Sequence, residues 1–226
     1  MAIVAAAAFT VGLFTRVSGV VALVMLLSYA HRAPFVSIHG DPILAFMMLY
    51  LVLGPCGQMF SWDRMLANRR GSDLPLAVKP SISGQISLRL IQVHLAMFYG
   101  MMGLTKLHGD SWWDGEAIWQ LLAQTQSRPS DWTSLRNYPL LINLWTHAQV
   151  WLELGFAVLI WNRYFRNGLL IATSLLWLLF IQITGMATYG LVLIVAGLAF
   201  LPEETWRKGL GMLGFEGSDK GSLRRR

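Results

Sequence analysis

The chain has 226 residues, 55% hydrophobic and only 13% charged, about half the ~25% charge usual in a soluble globular domain. Its net charge of +6 comes from basic residues gathered in short polar stretches and the tail. That is a membrane-orientation pattern, which argues against nucleic acid as a partner. The single cysteine, Cys56, excludes an intrachain disulfide, and no Cys or His spacing suits a metal.

The N-terminal residues lack a basic region and a cleavage site, so they do not read as a signal peptide. Ala2 to Phe14 is apolar and short for a span, Arg16 interrupts it, and Val17 to Ala30 follows. His31, Arg32 and Pro34 end that run and open a loop through His39 and Asp41. Pro42 to Phe60 is the third hydrophobic segment, and Ser61 to Gly84 is polar, with Arg64, Arg69, Arg70 and Lys79. Gln85 to Leu107 is the fourth segment.

A long, less hydrophobic stretch runs from His108 to Leu140. Asp114 is placed to cap a short helix, with Glu116 in its first turn. Trp119, Leu121 and Leu122 make that helix apolar enough to lie on a membrane surface. Ser130 is a candidate cap for another short turn before Pro139. Ile142 to Trp161 is the fifth segment, and Asn162 to Asn167 is a tight basic loop. Gly168 to Leu201 exceeds one ordinary span, at about 50 Å for ~1.5 Å per residue, so it reverses within Thr184 to Gly190.

Uncharged stretches of about twenty residues are what a helix needs to cross hydrocarbon. A backbone in lipid must also satisfy its own hydrogen bonds. The elements therefore predict an all-α, polytopic transmembrane helix bundle over residues 1–201 and a polar, basic tail over 202–226. The bundle is expected to hold about six to seven membrane segments and one amphipathic interfacial helix. Ten Trp and six Tyr match the aromatic enrichment found where helices meet headgroups.

Lys and Arg set the orientation. The stretches Ser61 to Gly84 and Asn162 to Asn167 fall on the cytoplasmic side, and the acidic His108 to Leu140 stretch falls outside. Counting back puts Met1 outside, which implies a further helix upstream. A multi-pass membrane location follows, the inner membrane in a bacterium, with His39, Lys106, His108 and the acidic stretch on the non-cytoplasmic face.

The fourth segment repeats polar residues every seven positions, at Gln85, Gln92, Tyr99 and Lys106, which returns to nearly one helix face. One reading is a hydrogen-bonded seam between helices with Lys106 snorkelling to the headgroups. The other is a desolvated Lys106, whose neutral amine can act as a base. Of twelve acidic residues, Glu153 alone falls inside a hydrophobic segment. It lies ~16 Å along the helix from Ile142, where a carboxylate marks a functional site or a pair facing the bundle. Thr146, Gln149 and Glu153 share one helix face. His94 and His147 have no ligand spacing and suit interhelical hydrogen bonds. Gly100, Gly103 and Gly155 suit close helix packing.

Gln92-Val-His-Leu, Gly103-Leu-Thr-Lys-Leu107, Ser111-Trp-Trp-Asp-Gly115, Thr146-His-Ala and Trp151-Leu-Glu-Leu154 together resemble the horizontally transferred transmembrane domain family. That family is related to vitamin K-dependent gamma-carboxylase. Gly185-Met-Ala-Thr-Tyr189 and Pro202-Glu203 are similar to the carboxylase's late membrane segments, and Leu13-Phe-Thr-Arg16 and the His39 to Asp63 region are similar less sharply.

The resemblance implies an enzyme that converts glutamate side chains to gamma-carboxyglutamate, a lyase coupled to oxygenation of reduced vitamin K or menaquinone. Lys106 would be the base acting on the hydroquinone, with His39 and Glu153 as further catalytic residues. Gln92, Tyr99, Trp112, Trp113, Asp114 and His147 would line the binding site, with no metal. The implied partners are the lipid bilayer, a lipophilic quinone and a glutamate-containing protein substrate. The resemblance is incomplete. A family histidine shortly before the Gly-Met pair has no counterpart in the apolar region around Leu175. No large extramembrane segment is present to hold a protein substrate, and the family's first membrane segment has no counterpart either. The alternative is a non-enzymatic membrane structural or partner protein that retains only the bundle.

Overall fold

The computed structural model describes residues 1–32, 41–57, 61–62, 65–66, 81–123, 132–202 and 205–206. Among them every regular element is helical and no strand occurs. The chain divides into two compact units. One comprises Met1–Phe35, Met48–Leu88 and Leu201–Arg226, the other Val36–Met47 and Arg89–Phe200.

In the first unit, α1 (Ala2–Val11) packs on α2 (Thr15–Arg32). The sequence expectation set the break between them at Arg16. It lies instead at residues 12–14, and Arg16 sits in the first turn of α2. The reason is Gly12, which takes the left-handed φ of 75° that lets a helix close its last carbonyls. Its N–H donates to Phe9 O at 3.1 Å, and Leu13 N donates to Ala8 O at 2.8 Å. A Cβ at Gly12 would stand 2.6 Å from Ser61 Cβ, so the turn also depends on that hydrogen for space.

The helix α3 (Asp41–Leu53) and the longer α4 (Ile82–Lys106) each have residues in both units. The start of α4 is fixed by Ser81, whose hydroxyl accepts from Gly84 N at 3.1 Å, an N-cap that satisfies one orphan backbone donor.

The second unit continues from α4 through two short helices, α5 (Asp110–Trp113) and α6 (Ala117–Ala123). After a 3₁₀ turn at Thr133–Asn137 come α7 (Pro139–Leu159), α8 (Arg163–Thr184) and α9 (Ala187–Gly197), ending in a 3₁₀ turn at Leu198–Phe200. Pro139 opens α7, where its missing N–H costs nothing. Asn162 caps α8 by accepting from Tyr164 N at 3.0 Å. Gly185, at φ 70°, ends α8, so the chain reverses within the expected Thr184 to Gly190 stretch. The α7 helix packs on α8, and α8 on α9.

The core of this unit is aromatic. Tyr99 stacks on Phe156 with ring centroids 4.2 Å apart, Phe156 meets Phe200 edge-on at 5.6 Å, and Trp177 meets Tyr189 at 5.1 Å. These are the offset and edge-to-face arrangements that ring quadrupoles favour.

One described helix, α8, is long and apolar enough to cross a membrane. Its 22 residues span about 33 Å at ~1.5 Å per residue. Ala2–Val11, Pro42–Leu53 and Ala187–Phe200 are shorter apolar helices.

Candidate functional site

The site forms where the C-terminal half of α4 meets α7. Their approach is set by two glycines. A Cβ at Gly103 would lie 2.8 Å from Leu154 Cγ and Cδ2, and one at Gly100 would lie 3.3 Å from Ala157 Cβ. Small residues of this kind let helix backbones come close. Gly155, expected to act likewise, does not: its nearest neighbour would be Leu159 of its own helix at 3.9 Å.

That approach brings Lys106, in the last turn of α4, onto Glu153. Lys106 Nζ donates to Glu153 Oε1 in a buried ion pair, with 12% of the lysine side chain and 4% of the glutamate side chain exposed. Spacing alone left Lys106 either snorkelling or desolvated; the structure turns it inward onto the one acid of that hydrophobic segment. Gln149 Nε2 approaches the same carboxylate oxygen at 3.4 Å. The other oxygen, Oε2, is buried without a protein partner. Trp112 covers the amine, its ring centroid 4.6 Å from Nζ, a cation–π contact. The pair is formally neutral as a unit, and the lysine is its more accessible end.

The remaining polar positions of α4 divide. Gln85 is exposed, while Gln92 and Tyr99 are buried. Gln92 Nε2 donates to Ala199 O at 2.7 Å and its Oε1 accepts from Arg89 at 3.0 Å. The Tyr99 hydroxyl accepts from Trp177 Nε1 at 2.6 Å. On α7, Thr146, Gln149 and Glu153 are all buried, as three residues on one inward face should be.

The α5–α6 region is tied to α7 by polar contacts. The Thr146 hydroxyl shares its proton between Gly115 O at 3.0 Å and Ile142 O at 2.8 Å, and accepts from Ile118 N at 3.4 Å. Asn143 Nδ2 donates to Asp114 O at 3.3 Å. Asp114 closes α5, whereas α6 begins at Ala117. The expected cap therefore contributes its backbone carbonyl to this contact. Trp113 is exposed and donates to Leu107 O at 2.7 Å. An open groove of about 280 Å3 lies along this edge, lined by Asp114, Glu116, Trp119, Arg136 and Asn143 among others.

The other expected residues lie apart from the pair's hydrogen bonds. His147 Nδ1 is 2.9 Å from Asn143 O and His108 Nδ1 is 3.0 Å from Leu104 O, each a bond to its own helix or its end. His94 packs against Phe46 with ring centroids 4.7 Å apart. His39 and Ser130 lie outside the described residues. Among the described residues no three His, Cys, Asp or Glu side chains group in a way that could hold a metal ion.

Sequence reasoning passed over Trp177 and Thr173, which line a small void beside Glu153 together with Tyr99 and Gln149. The available signal was their four-residue spacing, which puts a hydroxyl and an indole on one face of an otherwise apolar helix. No family model, curated protein or solved structure matches this chain.

Proposed function

We propose that the chain is a multi-pass membrane protein whose Lys106–Glu153 pair takes a proton from a lipophilic hydroquinone at the non-cytoplasmic face. This is the chemistry implied by its resemblance to the vitamin K-dependent gamma-carboxylase relatives, in which oxygen would oxidise the quinol, carbon dioxide would supply the carboxyl group and a glutamate-containing protein would accept it. The observation that carries the reading is the buried pair itself. An amine and a carboxylate taken out of water together are costly, and such groups inside a membrane bundle are by default functional.

The multi-pass reading rests on length and on where the polar residues point. The 25 residues of α4 and 21 of α7 reach about 37 and 31 Å at ~1.5 Å per residue, enough for a ~30 Å hydrocarbon core. Several of the polar residues that lower their hydropathy, Gln92, Gln149 and Glu153, are buried. Their outward residues include Met97, Met101, Leu144, Trp151 and Val158, which suits a lipid-facing surface.

The residues fit a quinol only in part. The void beside Glu153 measures about 10 Å3, far below ligand-pocket size, so a ring has to reach Lys106 from the Trp112 side. A reduced quinone, when bound, supplies the acidic hydroxyl. The pair goes from neutral to singly positive on accepting that proton, and the Lys106 ammonium then stands beside the negative charge left behind. Trp112 would exclude water from the amine.

The smallness of that void favours a second reading, in which the pair ties α4 to α7 and performs no chemistry. Purified protein given reduced menaquinone or phylloquinone, with dioxygen as the oxidant, separates the two. The enzyme reading expects specific binding and quinol oxidation, with turnover abolished in Lys106→Met and in Lys106→Met/Glu153→Gln while helix content is kept. Turnover indifferent to Lys106, or no binding, overturns it in favour of the structural tie.

A further inference from the structure

The pair leaves one buried group unanswered. Glu153 Oε2 has no protein partner, although a buried carboxylate oxygen normally accepts at least one hydrogen bond. The oxygen belongs to a residue that lines a void between α4, α7 and α8, whose polar lining comprises Tyr99, Gln149, Glu153, Thr173 and Trp177. Tyr99, Glu153 and Thr173 are buried.

Two further groups around this void have hydrogen-bonding capacity in reserve. The Tyr99 hydroxyl accepts from Trp177 Nε1 and retains its own proton to donate. The Thr173 hydroxyl donates to Leu169 O at 2.7 Å and retains lone pairs to accept with. The void measures about 10 Å3, close to the ~10–15 Å3 that a single water requires, and a buried water is held by two to four polar partners.

We propose that this void is a hydration site, in which one water donates to Glu153 Oε2 and to the Thr173 hydroxyl and accepts from the Tyr99 hydroxyl. The site joins Lys106, Glu153, Tyr99 and Trp177 into one hydrogen-bonded chain across α4, α7 and α8. It makes Tyr99 a positioning residue for the Glu153 carboxylate, acting through the water. An apolar guest of similar size is disfavoured because it would leave Oε2 unanswered. The inference concerns the same side chains as the proposed reaction but holds whether or not Lys106 acts on a hydroquinone.

Infrared difference spectra of the full chain in lipid nanodiscs test it. Wild type minus Thr173→Val should show an internal-water O–H band that moves when the water is labelled with heavy oxygen. The band should be lost in Tyr99→Phe and retained in Thr173→Ser, which keeps the hydroxyl. Absence of an isotope-sensitive band in wild type, or its persistence in Thr173→Val, overturns the proposal. If Tyr99→Phe does not fold, the comparison of Thr173→Val with Thr173→Ser decides alone. A failure here leaves quinol turnover untouched, so the two proposals fall separately.

Discussion

Lys106 donates to Glu153 across a 47-residue separation, linking the last turn of α4 to the middle of α7. Neither partner has an alternative counter-ion among the described residues. Removing one of them therefore strands the other. Lys106→Leu alone should destabilise the chain by about 3–5 kcal/mol, as expected for a broken buried pair, and Lys106→Leu/Glu153→Leu should recover most of that loss. Thermal unfolding in detergent across the double-mutant cycle checks this; additive effects would mean the two residues do not act as a pair.

Thr146 is fully buried and its hydroxyl serves Gly115 O, Ile142 O and Ile118 N. Thr146→Val keeps the shape and deletes the hydrogen bonds. A cost of about 1–3 kcal/mol is expected for the groups left unsatisfied. The loosening should be local, so limited proteolysis should cut sooner near residues 110–123 than elsewhere. An unchanged cleavage pattern would remove Thr146 as the anchor of that region.

Gly115 carries a φ of 77°, and a Cβ there would collide with the Asn143 carboxamide. Gly115→Ala should cost more than the ~1–2 kcal/mol of left-handed backbone strain, because the Asn143 side chain must also move. Asn143→Ala in the same chain should restore part of the stability by removing the obstacle. The unfolding midpoint of the double variant relative to Gly115→Ala alone reads the effect directly.

If α8 crosses the bilayer, its two ends face different compartments. In a Cys56→Ser background, Asn162→Cys should react with an impermeant thiol reagent from the cytoplasmic side, and Ala187→Cys only from the opposite side. Both positions are exposed in the structure. Labelling of both from one side would show that α8 does not span.

Much of the second unit was legible in the sequence because its signals are local. The reversal after Thr184 is carried by Gly185, and the inward faces of α4 and α7 by polar residues at helical spacing, whereas the expected loop from Asn162 to Asn167 is helical from Arg163 onward, with Asn162 as its cap. The boundary between α1 and α2 was misplaced because a charge at Arg16 looked like a stronger interruption than a glycine four residues earlier. In a helix near solvent a charge is tolerated, whereas the left-handed residue ends it. What spacing cannot supply is which faces meet. The contact of Lys106 with Glu153 depends on how closely Gly103 and Leu154 approach, and the Tyr99–Trp177 bond on where α8 lies against α4. Both are properties of packing between distant stretches.

The bond from Gln92 to Ala199 O has a further consequence. The carbonyls at the end of a helix normally need water or a C-terminal cap, but here a side chain of α4 serves the 3₁₀ turn that follows α9. The number of residues between Gly185 and Phe200 is thereby metered from outside. Inserting one residue into α9 would advance the turn by ~1.5 Å and rotate it by about 100°, carrying Ala199 O off its donor and Phe200 off Phe156. The segment should thus tolerate changes of residue far better than changes of length.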